Sequence, residues 1–162
     1  MKLFGSTMVL SPSILKTLLG LHDDKIDTSG LKLHVGNIYI TAGKGTLTKG
    51  ERSIPRYVKL KSTNGVYILE QGAYIVRYAE YIRIPKGMIG LALPRSSLLR
   101  MGATIHTAVW DSGYEGQGIG LLVVFNPFGI VLEEGAHIAQ LVYFKVEGKP
   151  NVYKGIYQGE KE

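Results

Sequence analysis

Cysteine is absent from the 162-residue chain, which excludes disulfides, thiolate catalysis and cysteine-bound zinc. Asparagine and glutamine are scarce, four of each, as in heat-adapted proteins that shed thermolabile amides. No apolar run is long enough to span a bilayer: the longest charge-free stretch, residues 116–132, is broken by glycines and Pro127. The first twenty residues carry a lysine and apolar side chains, but Ser6, Thr7, Ser11, Pro12 and Ser13 interrupt them, which makes a poor signal peptide. A soluble cytoplasmic protein with no membrane partner is expected. His22, His34 and His106 show no metal-ligating spacing, so no side chain is assigned to a metal.

What is present is globular in kind. Hydrophobic residues make up 45% and charged residues 20% of the chain, values that support a packed core rather than disorder. The length suits one domain over residues 1–162. Glycine occurs 21 times, well above the usual share of about 7%, and signals many tight turns. Ser11-Pro12 before an apolar stripe of Ile14, Leu15, Leu18 and Leu19, with Gly20 after it, predicts one helix, the only one the sequence signals clearly. From residue 31 onward, short runs rich in Val, Ile, Tyr and Thr alternate with Gly, Pro, Asn and Lys clusters, the grammar of closely spaced strands. Tyr74, Val76 and Tyr78 alternate with Ile75 and Arg77, as in a half-buried strand. The fold class expected is mainly β: a distorted jelly roll or β-barrel of ten or more strands with one short N-terminal helix.

The net charge is +6, and it is unevenly placed. Residues 44–61 hold Lys44, Lys49, Arg52, Arg56, Lys59 and Lys61 against Glu51 alone. Such a run usually forms a solvated face. No RNA-binding aromatic signature or helix-turn-helix accompanies it, so no nucleic-acid partner is expected.

Two segments place polar residues where a plain strand needs none. In Pro94-Arg95-Ser96-Ser97-Leu98-Leu99-Arg100 an apolar run stops at proline and enters a turn with two guanidinium groups and two hydroxyls, a set suited to phosphate oxygens and equally to a solvent turn. In Trp110-Asp111-Ser112-Gly113-Tyr114-Glu115-Gly116-Gln117 a strand ends at an aspartate and restarts after a glycine. That aspartate reads either as a turn cap or as a carboxylate that activates water beside a tyrosine offering a flat face to a sugar or base.

Taken in order, these segments resemble the superfamily of trimeric dUTP diphosphatases and dCTP deaminases. Pro94-Arg95-Ser96-Ser97-Leu98 is similar to its second motif, Asp111-Ser112-Gly113-Tyr114-Glu115-Gly116-Gln117 to its third, and Gly135-Ala136-His137-Ile138-Ala139-Gln140-Leu141 to its fourth. The helix near the N-terminus and the tail Tyr153-Lys154-Gly155-Ile156-Tyr157-Gln158-Gly159 resemble the deaminase branch. The resemblance implies the β-clip form of barrel, a homotrimer with sites between subunits, and a nucleotide substrate. It implies Asp111 as the base that deprotonates the attacking water. Tyr114 would lie under the deoxyribose and exclude a 2′-hydroxyl, and Arg95, Ser96, Ser97, Arg100 and Gln140 would bind substrate. Tyr157 and Gln158 would belong to a mobile C-terminal tail, about residues 150–162, that closes over the site. Magnesium would be bound mainly through the substrate phosphates.

The branch is decided at Leu121. Deaminases of this superfamily carry a proton-moving glutamate ten residues past the motif-three aspartate, and leucine cannot do that work. The expected activity is therefore hydrolysis of dUTP to dUMP and pyrophosphate, with dCTP deamination or deoxynucleotide binding without catalysis as the alternatives. Two positions depart from the pattern. Lys32 stands where the first motif has an aspartate that helps hold magnesium, with Asp27 close by, and His137 stands where the fourth has Arg or Lys. The glycine-rich fifth motif is missing.

Overall fold

The computed structural model describes residues 9–161. The opening residues of the stretch weighed as a signal peptide, 1–8, lie outside the described residues, as does Glu162. Helix α1 spans Pro12–Leu19. Pro12 presets its first turn, and Gly20 ends it in the left-handed region at φ 62°. Ser11 occupies the N-cap position but its hydroxyl does not cap; it lies 3.0 Å from that of Ser13. Of the expected apolar stripe only Leu15 is fully buried, while Ile14 and Leu18 stay about half exposed.

The described residues form eleven strands: β1 (Leu31–Ala42), β2 (Thr46–Leu47), β3 (Arg52–Ser53), β4 (Arg56–Lys59), β5 (Val66–Leu69), β6 (Gly72–Arg83), β7 (Met88–Pro94), β8 (Ala103–His106), β9 (Glu115–Val124), β10 (Ile130–Glu133) and β11 (His137–Lys145). The mainly-β reading is borne out, with three corrections. The run expected to continue as a strand to Trp110 ends at His106. A second helix, α2 (Ser96–Arg100), replaces the turn expected after Pro94; burial of Leu98, 3% exposed, turns the segment inward and winds it. Arg77 is 8% exposed although its place in the alternation of β6 put it on the solvent side, because the C-terminal segment covers it.

The main sheet runs β7-β11-β1-β6-β9-β8, with β4 added to β1. Trp110, just beyond β8, exchanges both backbone hydrogen bonds with Gly90 of β7, at 2.9 and 3.0 Å. The order thus returns on itself and the sheet closes into a barrel. Strand β1 serves both halves of it: Leu31–His34 pair with β11, and Val35–Tyr39 pair with β6. The register breaks at Gly36, where a Cβ would lie 2.8 Å from the Arg77 carbonyl oxygen. Tyr67, Tyr78, Tyr143, Leu33, Ile38, Leu122 and Leu141 fill the interior. The basic segment 44–61 spans β2 to β4 on the outside. Among the described residues no helix is long and apolar enough to cross a membrane.

Candidate active site

After Trp110 the chain makes the turn that carries Asp111. Tyr114 N–H donates to the Asp111 carbonyl at 3.0 Å, and Gly113 N–H donates to that of Ile84 at 3.0 Å. Gly113 lies at φ 81°, a conformation that glycine enters without strain. A Cβ there would meet Val152 at 2.8 Å. Ser112 is buried and its hydroxyl accepts a hydrogen bond from Gly87 N–H at 2.8 Å, so it fixes the turn. The Asp111 side chain is exposed, and no hydrogen bond to its carboxylate forms among the described residues.

Below this turn, β9 supplies space in place of side chains. Its first three inward positions are Gly116, Gly118 and Gly120, before Leu122 and Val124 continue the same face. Cβ atoms at those positions would lie 2.7 Å from the Tyr114 hydroxyl, 2.8 Å from the Trp110 ring and closer still to the Tyr78 hydroxyl. Three rings thus occupy the slots that three glycines leave, and the Tyr78 and Trp110 rings meet edge to face at 6.2 Å. Tyr114 is 5% exposed. Burial, with the Glu160 carboxylate adding to it, pushes its phenol up to about 12, so it stays neutral near pH 7.

A cavity of about 600 Å³ opens beside the turn, within the usual size of small-molecule sites. Asp111, Tyr114, Trp110 and Val109 line one side, and Ile54 and Tyr57 from the basic segment another. Its remaining wall comes from the C-terminal segment: Tyr153, Ile156, Tyr157 and Glu160. That segment docks on the same turn. Tyr153 N–H donates to the Ser112 carbonyl and Gly159 N–H to that of Glu115, both at 2.8 Å. The Gln158 side chain donates to the Gly113 carbonyl at 3.1 Å and accepts from Glu115 N–H at 3.4 Å.

The other expected site residues gather elsewhere. Arg95 N–H donates to the Ile138 carbonyl at 2.9 Å, tying α2 to β11. Arg95, Ser96, Ser97 and Arg100 are exposed. Gln140 pairs across the sheet with Leu93 on one side and Lys32 on the other. From Gly90, opposite Trp110, five residues of β7 lead to Arg95, roughly 16 Å of extended chain. The structure therefore brings Asp111, Tyr114 and Tyr157 to one cavity with Gln158 behind it, and sets Arg95, Ser96, Ser97, Arg100 and Gln140 apart from that cavity on the same chain.

His137 lies against this second group. Its Nε2 is 3.0 Å from the Ala139 carbonyl and 3.4 Å from an Asp27 oxygen. Its ring lies tilted by 43° against that of His34, centroids 5.3 Å apart, and His34 Nδ1 lies 2.6 Å from Glu80. Burial and the nearby Arg95 guanidinium hold His137 below the ordinary histidine value. Asp27 is thus engaged with His137, while Lys32 sits beside Gln140. Among the described residues no group of three or more histidine, aspartate and glutamate side chains could hold a metal ion.

Sequence reasoning missed the β9 glycines, Arg77 and the His34–Glu80 pair. The alternation Gly116, Gly118, Gly120 is a signal that was there to be read: glycine every second residue in an apolar run empties one face of a strand.

The dCTP deaminase-like family model matches residues 14–146. The chain belongs to the dCTP deaminase-like family. Within it, the chain is 44% identical over 161 residues to a probable deoxyuridine 5′-triphosphate nucleotidohydrolase of Aeropyrum pernix, with 99% of each chain covered. It is 42% identical over 143 residues to the deoxyuridine 5′-triphosphate nucleotidohydrolase of Methanocaldococcus jannaschii, covering 86% of this chain and 90% of that protein. The crystal structure of a 2′-deoxycytidine 5′-triphosphate deaminase from Agrobacterium tumefaciens shares the fold at a TM-score of 0.65 and 22% identity. That match spans 87% of this chain and 49% of the other, so this dCTP deaminase-like chain corresponds to about half of that structure.

Proposed function

We propose that the chain is a dUTP diphosphatase that converts dUTP and water to dUMP and pyrophosphate. The observation that carries this is the unengaged Asp111 carboxylate at a nucleotide-sized cavity, in a chain 44% identical from end to end to a protein named for that hydrolysis. Asp111 takes a proton from the water as the water oxygen bonds to the α-phosphorus. The bond from that phosphorus to the bridging oxygen breaks, and pyrophosphate leaves with the electron pair. Tyr114, neutral and packed, floors the sugar subsite and leaves no space for a 2′-hydroxyl. The hydroxyls and guanidinium groups of Ser96, Ser97, Arg95 and Arg100, with Gln140, suit the phosphates.

Those phosphate groups and the Asp111 cavity form two half-sites on one chain. Bringing them together calls for neighbouring copies, which supports a homotrimer, the assembly the resemblance implies. A cytoplasmic location suits a protein that acts on the nucleotide pool. Magnesium fits as an ion carried on the triphosphate: Lys32 stands where the resembled first motif has its metal-holding aspartate, and beside Gln140 it offers the phosphates a cation. Bound in that way, it would offset phosphate charge. Deamination of dCTP lacks its proton carrier. Leu121 lies on the outward face of β9, one alternation beyond the cavity residue Ile119, and presents only an alkyl group there.

The test is a product assay with dUTP, dCTP and UTP, each with and without magnesium. Pyrophosphate and dUMP from dUTP alone are expected. Ammonia from dCTP would overturn the choice between branches, and binding of dUTP without turnover would overturn catalysis.

A further inference from the structure

We propose that Arg77 is a positioning residue: its buried guanidinium captures the Glu160 carboxylate and latches the C-terminal segment as a wall of the substrate cavity. The inference rests on the reading of that cavity as the substrate site. Arg77 projects from the middle of β6 and is the one charged side chain buried among the described residues. Its Nη2 lies 3.3 Å from Glu160 Oε1, its Nη1 donates to the Gln117 carbonyl at 3.5 Å, and its Cζ lies 6.0 Å from the centre of the Tyr39 ring. Nε makes no hydrogen bond among the described residues. A guanidinium so far from water needs a carboxylate, and without one it is left as an uncompensated buried charge.

The geometry ties this pair to the cavity. Glu160 lines the cavity with Tyr157, Ile156 and Tyr153, and its own carbonyl accepts the Gln117 N–H at 2.8 Å. One residue earlier, Gly159 N–H donates to the Glu115 carbonyl at 2.8 Å. The last described turn of the chain is therefore fastened by main chain on the β9 side and by one ion pair on the β6 side. Release of Glu160 would free Tyr157 and Ile156 from the cavity wall and leave Arg77 without its counter-ion. Closure is thus the resting condition of this segment, and Arg77 sets it.

The experiment compares wild type with Glu160→Gln, Arg77→Gln, Arg77→Lys and the Arg77→Gln/Glu160→Gln pair. It reads KM and kcat for dUTP together with amide hydrogen exchange at Gly159 and Gln117. Glu160→Gln keeps the shape of the side chain on a partly exposed segment, so it tests the latch even where an Arg77 variant fails to fold. Loss of a charge-assisted contact should raise KM roughly tenfold, more than it lowers kcat, and speed exchange at both amides. Arg77→Lys should recover part of the protection, and the double variant should be no looser than its Arg77 parent. Wild-type KM and unchanged exchange in Glu160→Gln would overturn the latch. If wild type turns over no dUTP, the functional reading fails on its own account. Exchange then still decides the latch: faster in Glu160→Gln supports it, unchanged overturns it.

Discussion

Around Tyr114 and Trp110 the chain removes side chains so that rings can pack. Around Arg95 and Gln140 it fixes the backbone and lets side chains reach out. The first region rests on Gly116, Gly118 and Gly120 and is covered by the C-terminal segment. The second is held by the β7–β11 ladder and the Arg95–Ile138 bond, with Arg95, Ser96, Ser97 and Arg100 in solvent. The difference matches the two tasks. A base must stand within hydrogen-bonding distance of one water, which close packing of its turn ensures. Groups that gather phosphate oxygens can order on contact, because charge-assisted bonds repay the side-chain entropy they cost.

Four measurements break or sharpen this contrast. The largest effect is expected at the packed end: Asp111→Asn should lower kcat for dUTP by about 10²–10⁴. Its melting temperature should stay at the wild-type value, because the carboxylate is exposed and unbonded among the described residues; steady-state kinetics beside calorimetry checks both. At the open end, Arg95→Ala should act through binding, raising KM by roughly tenfold or more with the fold intact. Dependence of KM on salt would report the same loss. Gly118→Ala should do the reverse, costing about 1–3 kcal/mol of stability as its methyl presses on Trp110 and Ile82, read from urea midpoints.

The smallest effect concerns pH. Burial and Arg95 hold His137 below its ordinary value of 6.5 when folded, so the unfolded chain binds that proton more readily. Stability should be full above about pH 6.5 and decline as pH falls toward the folded value. His137→Gln should flatten the decline in urea midpoints taken across that window.

The sequence was legible wherever the cause is local. Pro12 and Gly20 mark α1 because a fixed φ and a left-handed stop are properties of single residues. The β-branched and aromatic runs mark the strands. The turn at 111–114 was legible because Ser112-Gly113 marks a chain reversal locally, and Gly113 does take a positive φ there. The roles expected of Asp111 and Tyr114 are what the resemblance implies. Helix α2 was not legible: five residues with no capping side chain are too short to show a period, and only burial of Leu98 winds them. Burial of Arg77 was not legible because the carboxylate that pairs with it lies 83 residues away. The glycines of β9 were read as turn formers through their abundance, whereas their position in the strand is what matters. The separation of the two half-sites follows from strand pairing, which a motif in linear order does not express.

The barrel is not equally strong all the way round. Every other junction in its ring is a ladder of four or more residue pairs, whereas β7 meets the segment after β8 through the Gly90–Trp110 exchange and the long contacts of Thr107 with Ala92. Asp111 is the next residue. Thermal opening starts where the fewest bonds hold, so this seam should breathe at temperatures that leave the ladders closed. Catalysis and fold then fail at different points of a heating ramp: turnover fades while the far-ultraviolet signal of the strands is still intact.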